Sequence, residues 1–174
     1  KVLSSFSYIQ KYGFMDTCID VKHLRNRMAN LHDIVQWCNQ TLKANEFKDY
    51  APNGLQIEGK SKVNKIVCAV TASEDAIDAA IAQQADALLV HHGYFWKGEP
   101  YPITGMRGNR IKKLIQNNIS LIAYHLPLDV HPEVGNNAQL AKLLDIKVRR
   151  GLEPWNSKSV AMVGKLEEPM SGRD

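Results

Sequence analysis

Residues 65–93 read KIVCAVTASEDAIDAAIAQQADALLVHHG, and this one stretch carries a complete strand–helix–strand unit. Lys65 to Val70 is an apolar, β-branched run of strand length. Thr71, with Glu74 three residues on, has the spacing of a capping box, and Ile77, Ala80 and Ile81 then recur at helical spacing. Ala87 to Val90 is a second run, apolar at every position as befits a strand buried on both faces, and it stops directly at His91, His92 and Gly93. Strands joined through a helix pair in parallel, because an antiparallel return needs only a short turn whereas a parallel one needs a crossover of about a dozen residues or more.

The same unit recurs downstream. After a loop rich in Gly, Pro and aromatic residues, Ile111, Leu114 and Ile115 mark a helix leading to Asn117 and Asn118, and Ser120 to Tyr124 forms a third strand that ends at His125. Two consecutive units predict an α/β fold: a mainly parallel sheet flanked by helices on both faces, in three α/β/α layers. Upstream, Asn30 as N-cap and Asp33 in the first turn precede Leu31, Ile34, Val35, Cys38 and Leu42, an amphipathic helix. Between the two regions, Pro52, Asn53 and Gly54 break regular structure, so 49–59 reads as a structured loop in which Leu55 to Ile57 starts a short strand. Past Pro132 come a helix over Asn137–Leu144 and strands over Ile146–Arg149 and Val160–Val163.

The expected organisation is a main metal-binding domain over 28–150 and the start of a second domain, or a truncated insert, over 151–174. Residues 1–27 open on Lys rather than Met and lack both a sustained apolar period and a signal-like apolar segment. They are expected to be a disordered extension, with Met28 as the natural start.

With 44% hydrophobic and 23% charged residues the composition is that of an ordinary globular protein, and no run of about 18 apolar residues suggests a membrane span. Of the formal charge of +4, the segment 1–27 supplies +3, with five basic residues (Lys1, Lys11, Lys22, Arg25, Arg27) against Asp16 and Asp20. The body is therefore almost neutral and offers no electrostatic footprint for nucleic acid; Lys147, Arg149 and Arg150 read as a solvated face. Three cysteines without a C-x-x-C spacing indicate neither a disulfide framework nor a thiolate zinc site. A reducing, cytoplasmic address fits them, with Cys38 and Cys68 as small core residues.

Candidate chemistry gathers at the strand ends. In open parallel sheets ligands bind beyond the carboxyl ends of the strands, which is where His91 and His92, and one strand later His125, are expected. Imidazole together with carboxylate suits divalent first-row metals, and Asp129 is the nearest carboxylate, across Leu126, Pro127 and Leu128. Neighbouring residues of a regular strand point to opposite faces, so His91 and His92 share a site only where the strand has ended, and Gly93 permits the bend. His32 and His23 read as surface residues, and His131, six residues after His125, is weighed as an outer partner of the site but not favoured as one. Tyr94, Phe95 and Trp96 read as packing beside the sheet edge or as a pocket wall, with Lys97 and Glu99 at its mouth. Neither a G-x-G-x-x-G, a P-loop nor a G-x-S-x-G motif is present.

At three segments the sequence resembles the GTP cyclohydrolase I type 2 homologues, the NIF-three-like dinuclear metal proteins, in their bacterial branch. The segments are DYAPNGLQIEG from Asp49, VHHGYFWKGE from Val90 and YHLPLDVHPEVGNNAQL from Tyr124. The resemblance implies a centre of two divalent ions (Zn, Fe, Mn or Mg) held by His91, His92 and Asp129. It makes His125 a ligand or close partner able to shuttle protons, and implies assembly as a homohexameric ring. It also implies a further His and Glu, spaced H-x-x-x-E, near the end of a longer chain, whereas here no histidine follows His131. Two function classes follow: metal-dependent hydrolysis of a purine nucleotide, or a non-catalytic metal-binding ring that holds protein partners.

Overall fold

The computed structural model describes residues 18–20, 28–169 and 171. The chain divides into two compact units, one ending at His125 and one beginning at Leu126. The first holds strands β1 (Cys18–Asp20), β2 (Ala29–Asn30), β3 (Gly54–Ile57), β4 (Lys62–Val63), β5 (Lys65–Thr71), β6 (Ala87–His92) and β7 (Ser120–Ala123). Its helices are α1 (Leu31–Leu42), α2 (Glu74–Ala82) and α3 (Gly105–Gln116). Five strands form one sheet in the order β1-β5-β6-β7-β3, and β2 pairs with β4 in a separate ribbon.

The fold is α/β, with a mixed sheet. β5, β6 and β7 run parallel, while the outer pairs β1–β5 and β7–β3 are antiparallel. No crossover helix ties either edge strand to its neighbour, so nothing imposes the parallel direction there. Three residues of the 1–27 stretch, expected to carry no regular structure, form β1; the rest of that stretch lies outside the described residues.

Because β5, β6 and β7 lie in chain order, two right-handed crossovers put α2 and α3 on one face of the sheet. There the helices meet through Lys113 Nζ and Asp78 Oδ1 at 2.7 Å, with Glu74 accepting from Lys113 as well. Beneath them Val67, Leu88, Val90, Leu121 and Ala123 pack on Ile77, Ala80, Ile111 and Leu114. α1 closes another side: its buried Leu31, Cys38 and Leu42 stand apart from that cluster, and the Tyr124 hydroxyl donates to Asn39 Oδ1 at 2.8 Å. Asn30 caps α1 as expected, its side chain accepting from His32 N. Burial pushes the Cys38 thiol up to about 11, which fits an inert core residue.

α2 is capped differently from the expected box. Ser73, not Thr71, accepts from Ala76 N at 3.2 Å, because β5 runs on through Thr71. That extra residue brings Thr71, the last residue of β5, opposite His92, the last of β6, while β7 ends at Ala123 opposite Val90, two residues earlier, so that His125 is the second residue past its end.

The second unit contains helices α4 (Leu126–Val130) and α5 (Asn136–Leu143) and an antiparallel hairpin of β8 (Ile146–Gly151) and β9 (Met162–Leu166). The hairpin pairs Arg150 with Val163, across the expected boundary after residue 150. His131 stands here, its Nδ1 accepting from the amides of Glu133 and Val134 at 3.2 Å, so it shapes a turn.

At the amino ends of the strands, the buried Asp86 carboxylate accepts from Asn64 N at 2.8 Å, Lys65 N at 3.1 Å and Lys60 Nζ at 3.1 Å. Burial alone would raise this carboxyl, but the Asn64 amide, the Lys60 ammonium and the Lys65 amide together outweigh it and hold it below the ordinary value. A depressed folded-state pKa contributes stability that is complete above the unfolded value of about 3.9 and lost as pH falls through the folded value. Asp86→Ala should cost about 2 to 3 kcal/mol in urea unfolding at neutral pH. In Asp86→Asn the stability decline below about pH 4 should be shallower than in the parent.

Candidate metal centre

Three imidazoles converge where the parallel strands end. The ligand-capable nitrogens of His91, His92 and His125 all lie within 4.8 Å of one another. Ring centroids are 4.4 Å apart for His91–His92, 4.9 Å for His91–His125 and 5.8 Å for His92–His125. β6 runs on through His92, so the two neighbouring imidazoles reach one point from the last two residues of the strand and not, as expected, from beyond its end. Gly93 serves this by its size rather than by an unusual φ: a Cβ there would come within 2.8 Å of Ala123 Cβ and closer still to Gln56 Oε1.

Two of the rings are turned by identifiable partners. His125 Nδ1 lies 2.7 Å from Asp49 Oδ1, whose side chain is only 3% exposed, and the His125 backbone N–H donates to Asn53 Oδ1 at 2.7 Å. Asn53 in turn donates to Asp49 Oδ2 at 3.0 Å. With Nδ1–H given to a carboxylate, Nε2 of His125 carries the lone pair toward the cluster. His92 Nδ1 lies 3.1 Å from Thr71 Oγ1, which sets the ring angle and, with the hydroxyl accepting from Nδ1–H, leaves Nε2 to ligate. Such outer partners fix the tautomer and ring angle that a metal requires.

Asp129 lies in the second unit, on α4, where its Oδ1 accepts from Asn136 Nδ2 at 2.9 Å. His32 is a surface residue, 3.1 Å from Glu58. The aromatic run divides its labour. Tyr94 is buried and its hydroxyl donates to the Ala72 carbonyl at 2.6 Å, while Trp96 stands edge-on to His125 with centroids 4.9 Å apart. Glu99 fixes the Trp96 loop, accepting from the Trp96 amide at 3.0 Å and from Arg107 at 2.8 Å.

Asp49, Asn53, Thr71 and Gln56 were not among the residues expected at the site. Gln56 sits at the bulge of β3, where its amide accepts from Tyr94 N at 2.7 Å and donates to Tyr94 O at 3.1 Å, replacing a neighbouring strand. A signal existed for the first two: a carboxylate and an amide four residues apart among loop breakers. Nothing in the sequence marked Thr71 as more than a strand or cap residue.

The profile of Duf34/NIF3 (NGG1p interacting factor 3) matches residues 29–174. The chain belongs to the Duf34/NIF3 family. It is 58% identical over 147 residues to the GTP cyclohydrolase 1 type 2 homolog of Haemophilus influenzae, covering 84% of this chain and 58% of that protein. The Vibrio cholerae protein of the same name is 59% identical over 136 residues, 78% of this chain and 54% of its own length. Among solved structures, protein ybgI, of unknown function, superposes with TM-score 0.71 at 54% identity, over 72% of this chain and 51% of that one. A Thermus thermophilus protein does so with TM-score 0.67 at 40% identity, over 72% and 52%. This Duf34/NIF3 chain thus spans little more than half the length of the curated relatives it matches. No helix among its described residues is long and apolar enough to cross a membrane.

Three nitrogen donors at mutual ligand distance, two of them oriented through Nδ1, fit a divalent ion of the zinc, iron or manganese kind. Thr71→Val keeps the volume of the side chain but releases His92. Zinc affinity, measured by competition with a chromophoric chelator, should fall roughly 10- to 100-fold with the melting temperature little changed.

Proposed function

We propose that this chain contributes His91, His92 and Asp129 to a dinuclear metal centre that hydrolyses a purine nucleotide, with His125 exchanging the proton. The observation that carries the reading is the convergence of three imidazoles backed by the part-buried Asp49–His125 pair. The nucleotide class comes from the relatives, which are named GTP cyclohydrolase 1 type 2 homologs.

A divalent ion bound here would supply Lewis acidity, lowering the pKa of water and polarising the attacked bond. The chain's own residues do the rest. Asp49 holds Nδ1–H of His125, so Nε2, which this reading leaves outside the metal shell of His91, His92 and Asp129, is the basic atom, and the same carboxylate stabilises the imidazolium once a proton has been taken. Trp96, edge-on to that ring, keeps water off one side of it. Asp129, four residues along from His125, adds the carboxylate that a histidine cluster needs to hold a second divalent charge. The homohexameric ring and the cytoplasmic address belong to the same proposal.

A second reading, a metal-stabilised ring that binds protein partners without turnover, draws on the family description as an interacting factor. Turnover separates the two. A chain lengthened to the span of its relatives should release formate from GTP only with a divalent ion, and Asp49→Asn should lower that rate by at least about 100-fold with metal still bound. No divalent-dependent formate from the parent would leave the partner-binding reading. The 174-residue chain should retain one ion per subunit after dialysis by elemental analysis, and His91→Ala with His92→Ala should retain none.

A further inference from the structure

A cavity of about 420 Å³ opens beside the imidazole cluster, in the size range of about 300 to 1,000 Å³ that small-molecule sites occupy. Phe47, Tyr50 and Phe95 give it three aromatic walls, and Asn45 and Lys97 give it polar ones. Asp49 belongs to both places: it lines the cavity and holds His125 at 2.7 Å. The two sides of the cavity are tied together, since Lys97 N donates to the Tyr50 carbonyl at 2.6 Å.

Two features of the lining lack a packing explanation. Tyr50 is 65% exposed although it lines a cavity, and Phe95 is held at φ +66°, a conformation that a bulky L-residue rarely adopts. Backbone strain of this kind persists where the surroundings impose it and gathers at ligand sites. Here it holds Phe95, 36% exposed, in the cavity lining, between buried Tyr94 and the Trp96 that touches the cluster.

We propose that this cavity is the binding site for a planar heteroaromatic ring of the nucleobase class, stacked on Tyr50 and Phe95, with an attached anionic group facing the Lys97 ammonium. Aromatic side chains accept any base through its π-face, and a single lysine on the rim pairs with phosphate as a point charge. The Asp49 carboxylate does not repel that anion strongly, because His125, Asn53 and the Tyr50 amide already surround it. A ring seated here would place its substituents next to the histidine whose orientation Asp49 sets. The choice of nucleotide rests on the hydrolase reading above; the stacking site does not.

Calorimetric titration with GMP, guanosine and inorganic phosphate tests it. GMP should bind saturably, guanosine more weakly, and phosphate alone weakest. Phe95→Gly suits a left-handed φ, so the fold should be as stable as the parent or more so, yet affinity for GMP and guanosine should drop roughly 5- to 100-fold. Lys97→Gln should bring GMP down to the level of guanosine and leave guanosine unchanged. Saturable GMP binding lost in Phe95→Gly supports the site even where no formate is released, in which case only the hydrolase reading fails. Absence of saturable binding by either ring compound, or unchanged affinity in a folded Phe95→Gly, overturns it, whatever the formate assay gives.

Discussion

Three parallel strands whose ends fall within two residues of one another are the constraint on which the rest of the first unit depends. β5, β6 and β7 are locked in register by their ladders, with Thr71 opposite His92 and Val90 opposite Ala123, and the amide of Tyr124 still reaches the Val90 carbonyl at 3.0 Å. Ends so closely matched put side chains from distant parts of the sequence along one edge, with His125 only two residues past β7. A slip of one residue in β6 would send His92 to the other face, away from Thr71, and expose the apolar set Leu88 and Val90 that α2 and α3 cover. The hydrophobic burial that fixes the sheet thereby fixes the imidazoles.

Fine positioning comes from a segment that contributes no imidazole of its own. From Asp49 to Ile57 the chain supplies Asp49 and Asn53 to His125 and Gln56 to Tyr94, then pairs with β7 as the edge strand. It meets the site through polar groups whose counterparts are backbone amides and a histidine, each of which would otherwise be left unsatisfied at a crowded edge. Gly93 lets this segment come close. Changes here should therefore act on ring orientation and metal affinity before they act on the core, because the core cluster lies on the α2–α3 face of the sheet.

Most of the architecture was legible in the sequence because it rests on periodicity. Lys65–Val70, Ala87–Val90 and Ser120–Tyr124 could hardly be other than buried strands, and the helices between them forced the parallel direction. His91, His92 and His125 followed from those strand ends. The antiparallel edges were not legible, since direction at an edge is set by tertiary pairing and not by pattern. Nor was the cap of α2: Thr71 and Ser73 both suit an N-cap, and the choice went to Ser73 only because register with His92 keeps Thr71 in the strand. The Asp49–His125 pair spans 76 residues of chain, and no local signal foretells such a contact.

The claim that the imidazole cluster is a metal centre is tested most directly by the coordination shell itself. Zinc K-edge X-ray absorption on the chain loaded with one equivalent of Zn²⁺ should show a nitrogen and oxygen shell at about 2.0 to 2.1 Å with imidazole scattering from at least two rings. That scattering should vanish when His91 and His92 are both replaced by alanine. A shell fitted by sulfur at about 2.3 Å, or one without imidazole scattering in the parent, would contradict the account, because the ion would then be held somewhere other than the carboxyl ends of β6 and β7.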